Sequence, residues 1–181
     1  GSPILDLQSP GFKTRKHQRE FLDQLAFLNQ QHLHQHPEHD ALSARMESYE
    51  LAYRMQTEVP GVVDLAGEPE YIHEMYGLNQ AETAAFGRQC LMARRLIERG
   101  VPLVEVTLGD GLGWDTHADN FAQVRRLSEQ LDAGWATLMN ELRDRGLLER
   151  TTILWAGEFG RTPVINQNGG RDHFPQAFTC V

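Results

Sequence analysis

Between residues 118 and 145 the apolar side chains Phe121, Val124, Leu127, Leu131, Trp135, Leu138 and Leu142 recur every three or four positions, and Gly146 follows. Such a stripe is one face of a long helix with its stop signal. Short β-branched runs stand on either side, LVEVTL at 103–108 and TTILWA at 151–156, each emptying into a glycine-bearing loop. The order strand, helix, strand predicts parallel neighbours in one sheet, joined by a right-handed crossover, with the helix packed on them through Val124, Leu131, Trp135 and Leu138. Residues 177–181, AFTCV, read as the beginning of a third strand, which makes the chain a piece of a longer protein.

The first half reads as helices. Phe21, Leu25 and Leu28 mark one over about 13–36, with Pro37 after it. Leu42, Met46, Tyr49 and Ala52 mark a second over about 38–56, before a turn at Val59-Pro60-Gly61. A short helix over 69–76 ends at Gly77. Asn79 and Glu82 have capping-box spacing ahead of a further helix carrying Phe86, Cys90, Ala93 and Ile97, which Gly100 and Pro102 stop. The expected organisation is a mainly helical region over 1–100, a cap or insertion, and an α/β part over 101–181 that carries the site loops. Both belong to one larger domain.

Composition removes several classes of function. With 40% apolar and 23% charged residues the chain has the material for a folded core. Lys and Arg number 17 against 25 Asp and Glu, a net charge of −8, and no basic stripe is concentrated anywhere, so nucleic acid is excluded as a first partner. No apolar run approaches the roughly 18 residues of a membrane span. Cys90 and Cys180 have no Cys or His at metal spacing and read as free thiols.

The chemistry gathers in the loops after the predicted strands, where ligand sites of open parallel sheets lie. These are Gly113-Trp114-Asp115-Thr116-His117, Gly157-Glu158-Phe159-Gly160-Arg161-Thr162-Pro163 and Asn168-Gly169-Gly170-Arg171-Asp172-His173. Each offers a carboxylate and two offer a histidine, the donors a divalent metal takes. Arg161 and Arg171 are placed to hold an anionic substrate beside it, a phosphate or sulfate ester. Plainer readings stand next to these. Asp115 or Thr116 can cap the long helix with Asp119 in its first turn, Glu158 and Arg161 can form a loop ion pair, His173 can be a solvated histidine, and Asp172 can belong to a turn. Asp110 fits either a ligand or a turn. His32 and His36, four apart, are more cheaply explained as an exposed helix face than as a chelate.

GWDTH at 113–117, GEFGRTP at 157–163 and GGRDH at 169–173, in that order, resemble the bacterial family called domain of unknown function 1501. FGRQC at 86–90, Ala93-Arg94-Arg95 and SYELAYRMQ at 48–56 are similar to its planctomycete-type members, so the resemblance covers nearly the whole chain. It implies the alkaline phosphatase and sulfatase superfamily, with an α/β sheet holding metal ions at its strand ends and a Ser, Thr or formylglycine nucleophile.

Residue by residue, the resemblance implies Asp115, His117, Glu158 and His173 as metal ligands and Arg161 as the anion contact. Phe159 stands where the superfamily has a metal-binding His, and Asp115 and His117 are two apart where its pair is four apart. The metal is a divalent ion, with zinc, calcium and magnesium all compatible, and exported relatives imply a periplasmic location. The nucleophile belongs to a first strand upstream of this chain; Ser9 is the one early hydroxyl and has no β-rich run before it. The expectation is therefore an alkaline-phosphatase-like parallel sheet with flanking helices after a helical region, in a metal-dependent phosphate or sulfate ester hydrolase-like protein whose isolated chain is inactive. The rival is a degenerate binding or scaffold protein.

Overall fold

The computed structural model describes residues 14–38, 40–108, 113–177 and 179–181. Ser9, Asp110 and Phe178 of the expected third strand lie outside them. The chain divides into two compact units, Gly1–Asp64 and Leu65–Val181.

The first unit contains α1 (Arg15–Gln35) and α2 (Asp40–Val63). Thr14 caps α1 by accepting the His17 N–H at 3.2 Å. The start of α1 meets α2 from its middle onward: Gln18 Nε2 donates to Gln56 Oε1 at 2.9 Å, and Arg19 donates to Glu50 Oε2 at 2.8 Å while stacking over the Tyr53 ring. These contacts define an antiparallel helical hairpin. The turn expected at Val59-Pro60-Gly61 is not there. α2 runs through Pro60, which forfeits its own N–H bond, but Asp64 N still reaches Pro60 O at 3.2 Å and keeps one more turn.

The second unit is built on α3 (Glu70–Met75), α4 (Ala84–Glu98) and α5 (Asn120–Asp144). Leu65, Ile72, Tyr76, Phe86, Cys90, Leu91, Leu138 and Leu142 form its buried core. α4 and α5 cross where Gly87 faces Gly134: a Cβ on Gly134 would stand 3.2 Å from the Gly87 Cα and 3.0 Å from the Phe86 ring. Small residues let two backbones approach this closely, and the apolar stripe of α5 buries against α4 as a result. The stops at Gly77, Gly100 and Gly146 are all left-handed, as helix ends with glycine require. Thr83, rather than Asn79, stands at the head of α4, and its hydroxyl donates to Gly77 O at 2.6 Å.

Within this core lies a network of charge. Arg94, 3% exposed, donates to Glu68 Oε2 at 2.7 Å and to Glu98 Oε2 at 2.9 Å. Its Nε stands 3.0 Å from Glu141 Oε2 but off the hydrogen-bond direction, so this third contact is an ion pair only. Glu141 also accepts from the Tyr76 hydroxyl at 3.0 Å and from Arg145 Nη2 at 2.7 Å. The network ties α4 and α5 to the 3₁₀ turn at Leu65–Gly67 through the adjacent Glu68.

The expected alkaline-phosphatase-like parallel sheet is not formed. The sheet among the described residues is a two-stranded antiparallel one, β1 (Gly160–Arg161) with β2 (His173–Phe174), and the rest of the regular structure is helical. The runs 103–108 and 151–156 are not paired with each other. In the first, burial alternates: Val104, Val106 and Leu108 are half-buried, whereas Leu103, Glu105 and Thr107 are exposed. In the second, Thr151 and Ile153 are half-buried while Leu154 is 70% exposed. Strands of a parallel sheet are covered on both faces. These runs are covered on one, lying on the helical core through Val106, Leu108 and Ile153. The ladder-like bonding of the second run is a reciprocal pair between Trp155 and Val181, at 2.7 and 2.9 Å. Leu131, Trp135 and Leu138 do face the core, with Trp135 against Trp155. No helix among the described residues is long and apolar enough to cross a membrane.

Candidate metal centre

The segment entering α5 and the segment 166–173 are stitched together by their backbones. Arg171 N donates to Thr116 O at 2.9 Å, Asp119 N to Asn168 O at 3.2 Å and Asn120 N to Gly169 O at 2.9 Å. Gly170 lies so close to the His117 carbonyl that a Cβ there would overlap it. The start of α5 is not capped by Asp115. Asp119 occupies the cap position in the left-handed region without a side-chain cap bond, and the buried Thr116 hydroxyl donates to Asn120 Oδ1 at 2.6 Å. Asp115 is thereby left for other partners.

β1 and β2 bring the third segment in. Their register sets Arg161 opposite His173, and Thr162 N donates to Asp172 O at 2.9 Å. Three side chains then converge. His117 Nε2 stands 3.0 Å from Asp115 Oδ1 and 3.1 Å from His173 Nε2, and His173 Nε2 stands 3.2 Å from Asp115 Oδ1. A triangle with those sides has its corners about 1.8 Å from its centre, inside the roughly 2.0–2.2 Å ligand distance of zinc-type ions, so all three atoms can reach one ion. Two imidazoles and a carboxylate fit a first-row divalent ion. They fit calcium or magnesium poorly, since both prefer oxygen.

Around the triangle, each neighbour has a distinct task. His117 Nδ1 faces Asp172 Oδ1 at 3.2 Å, and Asn166 Nδ2 donates to that same oxygen at 2.9 Å. Phe159, which cannot ligate, sets its ring against the His173 ring in an edge contact with centroids 4.7 Å apart. Arg161 donates to Asp115 through Nη1 and to Glu158 Oε1 through Nη2, the latter at 2.7 Å. Burial pushes the Asp115 carboxyl upward, but the hydrogen bonds from Arg161 and His173 outweigh it and hold the group below the ordinary aspartate range. Asp172 is also lowered, chiefly by the Asn166 and His117 hydrogen bonds.

Of the residues expected to ligate, Asp115, His117 and His173 are brought together as one group. Glu158 is instead in the loop ion pair with Arg161. Arg171 turns inward, its Nε donating to Thr162 O at 2.6 Å and its Nη2 to Arg161 O at 3.1 Å, so it braces the loop. His32 and His36 stack with centroids 4.6 Å apart in the first unit. Asn166 was not legible as a site residue. Its amide holds the loop from both ends, donating to His117 O at 3.1 Å and accepting from the N–H groups of Asn168 and Gly170 at 2.9 and 3.0 Å. In the sequence, Asn-Gln-Asn-Gly reads only as a turn.

The molecule is thus a mainly helical protein that presents a His, His, Asp cluster from the segment entering α5 and from one strand of a minimal antiparallel ribbon. The family described as protein of unknown function (DUF1501) matches residues 1–181, and the chain belongs to that family. No curated protein matches the chain, and no solved structure does.

Proposed function

We propose that this chain binds a divalent transition-metal ion through Asp115 Oδ1, His117 Nε2 and His173 Nε2, as the metal-binding part of a phosphate or sulfate ester hydrolase-like protein. The observation that carries the metal reading is the triangle of 3.0, 3.1 and 3.2 Å between those atoms. When bound, such an ion polarises an ester oxygen and lowers the pKa of an attacking hydroxyl or water. The protein's own groups set the charge around it. Two neutral imidazoles and one carboxylate leave a dication net positive, and Arg161 stands at the edge of the cluster with its guanidinium already on carboxylate oxygens. Guanidinium binds phosphate and sulfate oxygens in the same fork geometry. The ester class is further supported by the resemblance of GWDTH, GEFGRTP and GGRDH to the DUF1501 family, which implies the alkaline phosphatase and sulfatase superfamily.

The test is zinc titration by calorimetry with metal analysis after dialysis. One zinc per chain, lost in His117→Ala and His173→Ala, is the expected result. Absence of stoichiometric binding would leave a scaffold protein. Hydrolysis of aryl phosphate and aryl sulfate is then compared between this chain and a protein extended upstream, where the nucleophile is expected: turnover by the extended protein alone supports the hydrolase-like reading, and inertness of both supports a metal-held binding protein.

A further inference from the structure

Asp172 has no contact with the triangle of ligand atoms, yet it stands behind one of them. A carboxylate only accepts hydrogen bonds, so the 3.2 Å hydrogen bond between His117 Nδ1 and Asp172 Oδ1 puts the proton of a neutral ring on Nδ1, whereas the 3.0 Å approach of Nε2 to Asp115 Oδ1 is a charge contact without hydrogen-bond geometry. The other ring nitrogen, Nε2, then carries a lone pair, and it is Nε2 that faces Asp115 and His173. A neutral imidazole left to water prefers the opposite tautomer, with the proton on Nε2, which would block that atom as a ligand. Asp172 does not float in this position. Asn166 Nδ2 donates to its Oδ1 at 2.9 Å, and its N–H donates to the Thr162 hydroxyl oxygen at 3.1 Å. Asn166 also holds the His117 carbonyl at 3.1 Å, so one amide sets both the histidine backbone and the carboxylate that faces its ring.

We infer that Asp172, held by Asn166, is a positioning residue that fixes His117 in the Nδ1–H tautomer and so makes Nε2 its ligand atom. The use of that atom rests on the metal reading above; the tautomer itself does not. A carboxylate behind a metal-bound histidine orients the ring and raises its basicity, and removing such a partner typically lowers metal affinity 10–100-fold.

The experiment is long-range ¹H–¹⁵N correlation spectroscopy of the imidazole nitrogens in metal-free protein at about pH 8, where histidine is ordinarily neutral. The expected result is a protonated Nδ1 and a bare Nε2 at His117. Asp172→Ala should return the proton to Nε2 and weaken zinc binding about 10–100-fold. Asp172→Asn keeps an acceptor oxygen and should restore the native tautomer and most of the affinity. A proton on Nε2 in the wild-type protein would overturn the inference, and that measurement needs no variant to fold. An Asp172→Ala protein with unchanged tautomer and unchanged affinity would overturn it too. If the tautomer shifts as expected but no form of the protein binds zinc, the positioning role stands and the metal reading fails.

Discussion

The Nε2 atoms of His117 and His173 stand 3.1 Å apart, although the residues are separated by 56 positions and arrive from the segment entering α5 and from β2. Two imidazole lone pairs repel at that distance unless a proton or a cation lies between them. Either His117→Ala or His173→Ala should therefore reduce zinc affinity at least 100-fold while leaving the helical circular dichroism unchanged, since both side chains are roughly half exposed. Retention of wild-type affinity in either variant would remove that histidine from the ligand set.

Gly170 and Gly169 should respond differently to alanine. At Gly170 a Cβ overlaps the His117 carbonyl, so Gly170→Ala must push the loop apart; the expected cost is about 1–3 kcal/mol, with loss of zinc binding. Gly169 has φ +72°, and a Cβ there would make only an ordinary contact with the Asp119 backbone at 3.7 Å, so Gly169→Ala should cost about 1–2 kcal/mol through backbone strain and leave binding within a few-fold of normal. Urea unfolding beside calorimetry checks both halves.

Removing Arg94 should unfold the second unit more readily than any loop change. Arg94→Met leaves Glu68 and Glu141, each 9% exposed at the side chain, facing each other's charge without the guanidinium between them. Breaking a buried pair in this one-sided way costs about 3–5 kcal/mol. Equilibrium denaturation should show the loss, and a change below about 1 kcal/mol would mean that water enters the network freely.

The same network makes stability depend on acid. Burial pushes the Glu68 carboxyl upward, but hydrogen bonds from Arg94 and Arg95 outweigh it and hold the group below its ordinary 4.5. A depressed carboxylate stabilises the fold above its unfolded value, and that contribution disappears as pH falls through the folded value. The midpoint of urea unfolding should thus be flat from pH 7 to about 5 and decline below about pH 4.5. Glu68→Gln should start lower at pH 7 and decline less steeply.

The two thiols should be distinguishable by reagent. Cys90 is 1% exposed, and burial pushes its pKa up to about 12, whereas Cys180 is exposed. Reaction with a disulfide reagent at pH 8 should label Cys180 at once and Cys90 only after denaturant is added. Fast double labelling of the native protein would show that the α4 and α5 core opens.

Helices were legible because their information is local. The stripe from Leu127 to Leu142, the glycine stops at Gly77, Gly100 and Gly146, and the amphipathic run through Phe86 and Cys90 each repeat within a few turns. Pro60 misled, because a proline signals a break and whether one more turn survives depends on the next carbonyl and its donor. For 103–108 the β-branched composition predicts a strand of a parallel sheet, which the structure does not form, because such a segment carries no record of which neighbour, if any, will bond to it.

The site divides along the same line. Asp, His and Arg types at glycine-bearing turns were visible in the chain, and so were the three loops that would carry them. Only the tertiary structure decided that Asp115, His117 and His173 share a point while Glu158 does not join them, because Arg161 bonds both carboxylates and Asp115 alone also lies within reach of the two imidazoles once β1 pairs with β2. It likewise decided the work of Asn166 and Asp172. Turn residues advertise a bend in sequence, but what their side chains hold is settled by the backbone that the bend brings alongside, at distances no local pattern encodes.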